Sequence, residues 1–193
     1  MATAFTQAQR DDIQQRLLDA ARQRLTGAGM KACTVDELAR EAGISKGAFY
    51  HFYKSKEHLF LHTLESIQNE IYGDAERALM DNNQPIRERA MLAFYQVCKA
   101  ADRYHLVSFV RRELSSLLAS VPEELMHKHY ISDHERIRRL LLKTNVALKV
   151  ELDEAASVLW LMVMSLIFKP DVGDGFPNAL RILVEGVCDR VLA

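Results

Sequence analysis

The tetrapeptide Ala42-Gly43-Ile44-Ser45 constrains this chain more than any other stretch. It lies between two runs that each read as a short helix. Gly43 supplies the backbone freedom that a tight turn needs, and Ile44 is an apolar residue able to plug the angle between two helices. Thr34 stands ahead of the first run with Asp36 and Glu37 behind it, an N-cap followed by negative charge where the free N–H groups of a first turn favour it. Ser45 restarts the chain as a second N-cap, so the spacing predicts helix, sharp turn, helix.

The rest of the chain reads as helix too. Eight glycines and four prolines in 193 residues fall mostly between runs of Leu, Ala, Glu, Arg and Met, all good helix formers. Residues 11–28 carry the stripe Ile13, Leu17, Ala20, Ala21, Arg24 and Leu25 and end at Gly27 and Gly29. The third helix is expected over Lys46 to about Phe52. A long fourth, capped by Ser55, runs to about Met80 on Leu59, Phe60, Thr63, Leu64, Ile67, Ile71, Ala75 and Leu79. Further helices are expected from Pro85 to about Ala101, from Tyr104 to Leu118, and from Pro122 onward with Leu125, Tyr130, Ile137, Leu140 and Leu141 inward. Thr144–Leu152 reads as a break, Glu154–Phe168 as a helix apolar nearly all round, Lys169–Gly175 as a loop, and Pro177–Leu192 as a last amphipathic helix. The fold class is therefore all-α.

Function is carried by the opening of the third helix. Ser45-Lys46-Gly47-Ala48 is small, so its first turn could descend into a DNA major groove and approach base edges, while Tyr50, Lys54 and Lys56 flank it as groups that reach phosphates. The net charge is −1, which argues against binding polyanions over the whole surface. A local bias exists nonetheless: between Ser45 and His58, Lys46, Lys54 and Lys56 oppose only Glu57. An ordinary helical corner with solvated lysines is the competing reading of this stretch taken alone.

Read together, Leu18-x-x-Ala21, Gly29, Thr34-x-x-Glu37-Leu38-Ala39-x-x-Ala42-Gly43-Ile44-Ser45-Lys46-Gly47-Ala48-Phe49-Tyr50 and Ser55-Lys56-Glu57-x-Leu59 resemble the tetracycline-repressor (TetR) family of bacterial transcriptional regulators. The resemblance covers about the first third of the chain. It implies an all-helical homodimer, with a three-helix helix-turn-helix DNA-binding domain at residues 1–55 and a helical ligand-binding and dimerisation domain at 56–193. It also implies a ligand-responsive regulator, a repressor released from a double-stranded operator by a small apolar or amphipathic effector. Thr34 then looks like a phosphate contact at the start of helix two, Tyr50 like an aromatic lying on the DNA backbone, and Lys56 like a phosphate-binding lysine; Ser45 opens the recognition helix. Base reading falls to Lys46, Gly47, Ala48 and His51, with Lys54 a further flanking cation. The run Phe49-Tyr50-His51-Phe52-Tyr53-Lys54 departs from the usual family pattern; Tyr53 is read as a core member and Phe52 as packing on helix one.

The C-terminal part matches the family only in length and helix content. Phe94, Cys98, Phe109 and Met126 are the expected pocket residues, with Trp160 and Met164 shared between pocket and dimer core. His58 and His62 are spaced i, i+4 without a third ligand nearby in sequence, so no metal or other cofactor is expected. No Ser/His/Asp order, paired carboxylates or phosphate-cradling glycine loop points to an enzyme. The longest uncharged run, Ala155–Phe168, has 14 residues, short of the roughly 20 of a membrane span. With no secretory signal and three unpaired cysteines, the expectation is a cytoplasmic protein that does not enter a membrane. The other function class left open is a helical bundle that binds an apolar molecule or partner helix without touching DNA.

Overall fold

A computed structural model of the chain describes residues 5–121 and 134–193. These residues are helical, and the only strand-like pairing among them is an isolated antiparallel bridge between Leu148 and Leu192. In chain order the helices are α1 (Gln7–Thr26), α2 (Val35–Glu41), α3 (Lys46–Phe49), α4 (Lys56–Met80) and α5 (Ile86–Arg103). Then come α6 (Leu106–Phe109), a π-helical turn (Val110–Leu114) and α7 (Ser115–Ser120), followed by α8, helical over residues 134–143. The chain closes with α9 (Leu152–Met164), a 3-10 turn (Ser165–Phe168), α10 (Lys169–Val172), a second 3-10 turn (Gly173–Gly175) and α11 (Phe176–Val191).

The chain forms two compact units, residues 1–67 with 104–121, and residues 68–103 with 122–193. In the first, the α1 stripe is buried at Ile13, Leu17, Ala20, Ala21 and Leu25, as its periodicity predicts. Buried in the same unit are Leu38, Ala39 and Ala42 of the second helix and its cap, Phe49, Tyr53, and Leu59, Phe60 and Ile67 of α4. Burying each such Leu, Ile or Phe removes about 1.5–3 kcal/mol worth of apolar surface from water. Thr63 is fully buried as well, its hydroxyl donating to the Leu59 carbonyl at 2.8 Å. Phe109 and Leu117 bring the segment 104–121 into this unit.

The second unit has an apolar cluster of Ile137, Leu141, Ala155, Ala156 and Val191, with Trp160, Leu159 and Val187 packed on it. A neighbouring cluster joins Ala75, Ala78, Leu79 and Ala93. The break expected over Thr144–Leu152 is present: Asn145 takes φ +49, which an Asn tolerates, and Lys149 N–H donates to the Val191 carbonyl at 2.8 Å.

Two expectations need correction. The third helix stops at Phe49 instead of Phe52, because the Phe52 and Tyr53 N–H groups both close on the Phe49 carbonyl, at 2.9 and 3.0 Å, and wind the chain into a turn. Lys169–Gly175 is a set of short helical turns and not an open loop. Pro170 falls in the first turn of α10, where its missing N–H costs nothing, and Gly173 at φ +65 breaks the run before α11. By length and composition alone, Leu152–Val191 also passes for a membrane span, against the expectation from its 14-residue uncharged run. Gly173 divides it into helices that pack on one another, and α11 is two-faced, with Leu180, Val184, Cys188 and Val191 buried and Arg181, Asp189 and Arg190 outside. That is the pattern of a helix lying on a protein core.

Gly43 sits at φ +71, and a side chain there would meet only the flexible end of Arg16. Gly43→Ala is therefore expected to fold but to lose about 1–2 kcal/mol of unfolding free energy through the left-handed backbone alone, measured by urea titration.

Candidate nucleic-acid interface

The turn between α2 and α3 is closed by backbone hydrogen bonds from Gly43 N–H to the Arg40 carbonyl at 3.0 Å and from Ile44 N–H to the Ala39 carbonyl at 2.9 Å. Both helices are capped as their sequences require. The Thr34 hydroxyl oxygen accepts from Glu37 N–H at 3.3 Å, and the Glu37 carboxylate accepts from Thr34 N–H at 2.8 Å. Those bonds from Thr34 hold the Glu37 carboxyl below the usual carboxylate range. Ser45 Oγ accepts from Ala48 N–H at 3.2 Å.

The exposed rim of this unit collects most of the residues singled out from sequence. Thr34, Ser45, Lys46, Gly47, His51 and Lys54 are exposed, Ala48 is half-buried, and the Tyr50 ring is 51% exposed with its neighbour Phe49 fully buried. Phe49 and Tyr50 meet edge to face at 5.6 Å between centroids, so the buried ring fixes the direction of the exposed one. Lys46 Nζ lies 2.7 Å from Asp36 Oδ2, an exposed ion pair that bridges α3 and α2 and keeps the ammonium protonated. Asp36 was read from sequence only as a first-turn charge; its distance from Lys46 along the chain hid this role.

Lys56 is placed differently from the other candidates. Its ammonium turns inward and donates to the carbonyls of Met30 at 3.1 Å and Cys33 at 2.8 Å, tying the start of α4 to the loop between α1 and α2. Phe52 packs where expected, beside α1, with the Arg10 guanidinium 5.3 Å from its ring centre and Phe5 6.0 Å away. Tyr53 is 2% exposed. His58 and His62 do not stand free in solvent: their rings meet at 4.9 Å, each 5.6 Å from Tyr53. Burial, then His62 and Lys54, push the His58 pKa down, so at neutral pH its uncharged Nδ1 accepts from Lys54 N–H at 3.3 Å. Among the described residues, no group of three or more His, Cys, Asp or Glu is placed to hold a metal.

The expected pocket residues are not gathered in one unit. Phe94, Cys98, Trp160 and Met164 belong to the second unit, Phe109 to the first, and Met126 lies outside the described residues. Phe94 is buried, and Trp160 packs on the Ile137–Ala156 cluster. Burial and Asp102 push the Cys98 thiol up to about 11, which leaves it a poor nucleophile at neutral pH. An open groove of about 920 Å³ is lined instead by Val150, Ser157, Val158, Ile182, Leu183 and Val187, among others.

Residues 17–63, which hold α2, α3 and the turn between them, match the model of the tetR family of bacterial regulatory proteins. These residues form a tetR-family N-terminal domain. Among curated proteins it is 27% identical over 117 residues to an uncharacterised HTH-type transcriptional regulator, YhgD of Bacillus subtilis, covering 61% of each chain. It is 31% identical over 126 residues to the HTH-type transcriptional regulator BetI of Agrobacterium fabrum, covering 54% of this chain and 61% of BetI. The matched part thus spans about three fifths of these relatives' length. Among solved structures, a TetR-family transcriptional regulator from Pectobacterium atrosepticum superimposes with a TM-score of 0.66 at 20% identity, over 95% of this chain and 94% of that one. The tetR fold therefore extends over nearly the whole molecule, while the family model matches residues 17–63.

Lys56→Met keeps the aliphatic stem and removes the ammonium from its two carbonyls. Hydrogen bonds to a charged group contribute about 1.5–3 kcal/mol, so a loss in that range is expected in urea unfolding.

Proposed function

We propose that the chain is a ligand-responsive transcriptional regulator, a cytoplasmic homodimeric repressor that binds a double-stranded DNA operator and leaves it when a small apolar or amphipathic molecule binds. It has no catalytic role in this reading. One observation carries the DNA-binding half. A side chain built at Gly47 would meet nothing nearer than Ser45 Oγ at 3.9 Å, so the fold itself has no need of glycine there. Glycine weakens a helix, and α3 has only four residues. What calls for a bare backbone at that point is a surface outside the chain. A major-groove floor approached by Ser45, Lys46, Gly47, Ala48 and His51 is such a surface, with Thr34, Tyr50 and Lys54 toward the phosphates and Lys56 acting from behind through the loop it holds.

The dimer is supported by apolar side chains that one copy leaves in water. Leu161, Phe168, Val172, Ile182 and Leu183 are each 41–64% exposed on α9 through α11, and Ile182 and Leu183 line the open groove. A two-fold pairing of this face would give the operator its near-palindromic form. The effector would bind among the helices of the second unit, with Phe94, Cys98, Trp160 and Met164 as its candidate contacts.

Two measurements test this. Gly47→Ala should keep or slightly raise the unfolding midpoint while lowering affinity at least tenfold for the tightest duplex that the wild type recovers from a randomised pool. A helical bundle that never meets DNA would show no such duplex. Wild-type affinity for that duplex should also fall steeply, by about 10³-fold or more, between 50 and 200 mM salt if at least six phosphates are contacted. Leu183→Glu should convert the wild-type dimer to monomer in sedimentation at micromolar concentration; a monomeric wild type would remove the dimer from the reading.

A further inference from the structure

Glu113 is a carboxylate only 6% exposed, buried in the same unit as the helix-turn-helix. Phe109, Glu113 and Leu117 follow at four-residue spacing along the π-helical turn and its flanks, and all three are buried, so a charge occupies the middle of an otherwise apolar stripe. Desolvating a carboxylate is costly, and such a residue is expected to have a partner. Its partner is the loop between α1 and α2. Glu113 Oε2 accepts from Lys31 N–H at 3.1 Å, across 82 residues of sequence.

Gly29 makes room for this contact. It sits at φ +89, and a Cβ there would lie 1.8 Å from Glu113 Oε1 and 2.9 Å from its carboxyl carbon. The left-handed backbone strains any side chain at position 29, and a side chain there would have to displace the carboxylate from its seat. On the same loop the Lys56 ammonium holds the Met30 and Cys33 carbonyls, so a cation from α4 and an anion from the segment 104–121 fix residues 29–33 together. The next residue is Thr34, the N-cap of α2.

We propose that Glu113 is a positioning residue for DNA binding: its carboxylate, seated over Gly29, sets the loop that places the N-cap of α2 and hence the helix-turn-helix. This rests on the DNA-binding reading above. It makes the segment 104–121, which the first third of the sequence does not contain, part of the recognition unit's own scaffold. Glu113→Gln keeps an acceptor for Lys31 N–H at the same reach. Glu113→Ala removes it, and Glu113→Asp draws it back by one methylene.

The test uses the full chain, the tightest duplex selected by the wild type, and random-sequence duplex, at a temperature where circular dichroism shows each variant folded. Glu113→Ala is expected to weaken binding to the selected duplex about tenfold, with Glu113→Gln within threefold of wild type. Amide exchange should rise over residues 29–41 and not across the remainder of the chain. If the alanine variant does not fold, Glu113→Asp takes its place with the same expectation. An unchanged dissociation constant beside a lowered unfolding midpoint would reduce Glu113 to a fold residue and overturn the proposal. So would exchange that rises uniformly or not at all over 29–41. Failure of the wild type to select any duplex would sink the DNA-binding reading instead, while the exchange pattern would still decide whether Glu113 places the α2 N-cap.

Discussion

The helix-turn-helix depends on one backbone torsion. At φ +71, Gly43 turns the chain out of α2 within a single residue, and the N–H groups of Gly43 and Ile44 close back on α2. A residue with a Cβ would resist that torsion by about 1–2 kcal/mol, a penalty comparable with the gain from any one cap in the motif. Because the turn is so short, Ser45 can cap α3 at once, and the small face from Ser45 to Ala48 emerges at the surface while Phe49, four residues beyond the cap, reaches the core. Exposure of the first turn and burial of the last are thus set by the same glycine.

Two short helices with little apolar surface of their own need a frame. α1 and the N-terminal half of α4 supply the apolar part of it, through Leu17, Ala21, Leu59 and Phe60, all essentially without solvent contact. The polar part lies in the α1–α2 loop, where irregular backbone carries carbonyls and N–H groups that a helix would have paired internally. Lys56 and Glu113 answer these from two directions. Because one partner in each is charged, these hydrogen bonds add to stability as well as fixing geometry.

The second unit follows a different rule. Its two apolar clusters mix small and large side chains, Ala155 and Ala156 with Ile137, Leu141 and Val191 in one, and Ala75, Ala78 and Ala93 with Leu79 in the other. Beside buried Phe94, Met162, Leu166 and Phe176, the large apolar side chains of Leu161, Phe168 and Ile182 stay exposed. Exposed apolar residues gathered on neighbouring helices are what the proposed two-fold pairing would cover.

The sequence by itself determined whatever acts over three or four residues. Thr34 with Glu37, Ser45 with Ala48, the Gly43 turn and the α1 stripe are all set by hydrogen bonds and periodicities shorter than one helical turn, and all were readable in order along the chain. The helix-turn-helix and its exposed rim were legible for that reason. Other features were decided only by folding. Charge alone suggested that Lys56 would face phosphates, but its ammonium found two carbonyls 23 and 26 residues away. Lys46 found Asp36 across the turn, and the run Lys169–Gly175, full of proline and glycine, was drawn into helical turns. Phe109 reads as a pocket residue in sequence, yet the segment 104–121 joins the first unit, and the buried Glu113 in that segment has its partner 82 residues earlier. A long flexible side chain chooses among all polar groups within its reach, and that set exists only once distant segments have packed together.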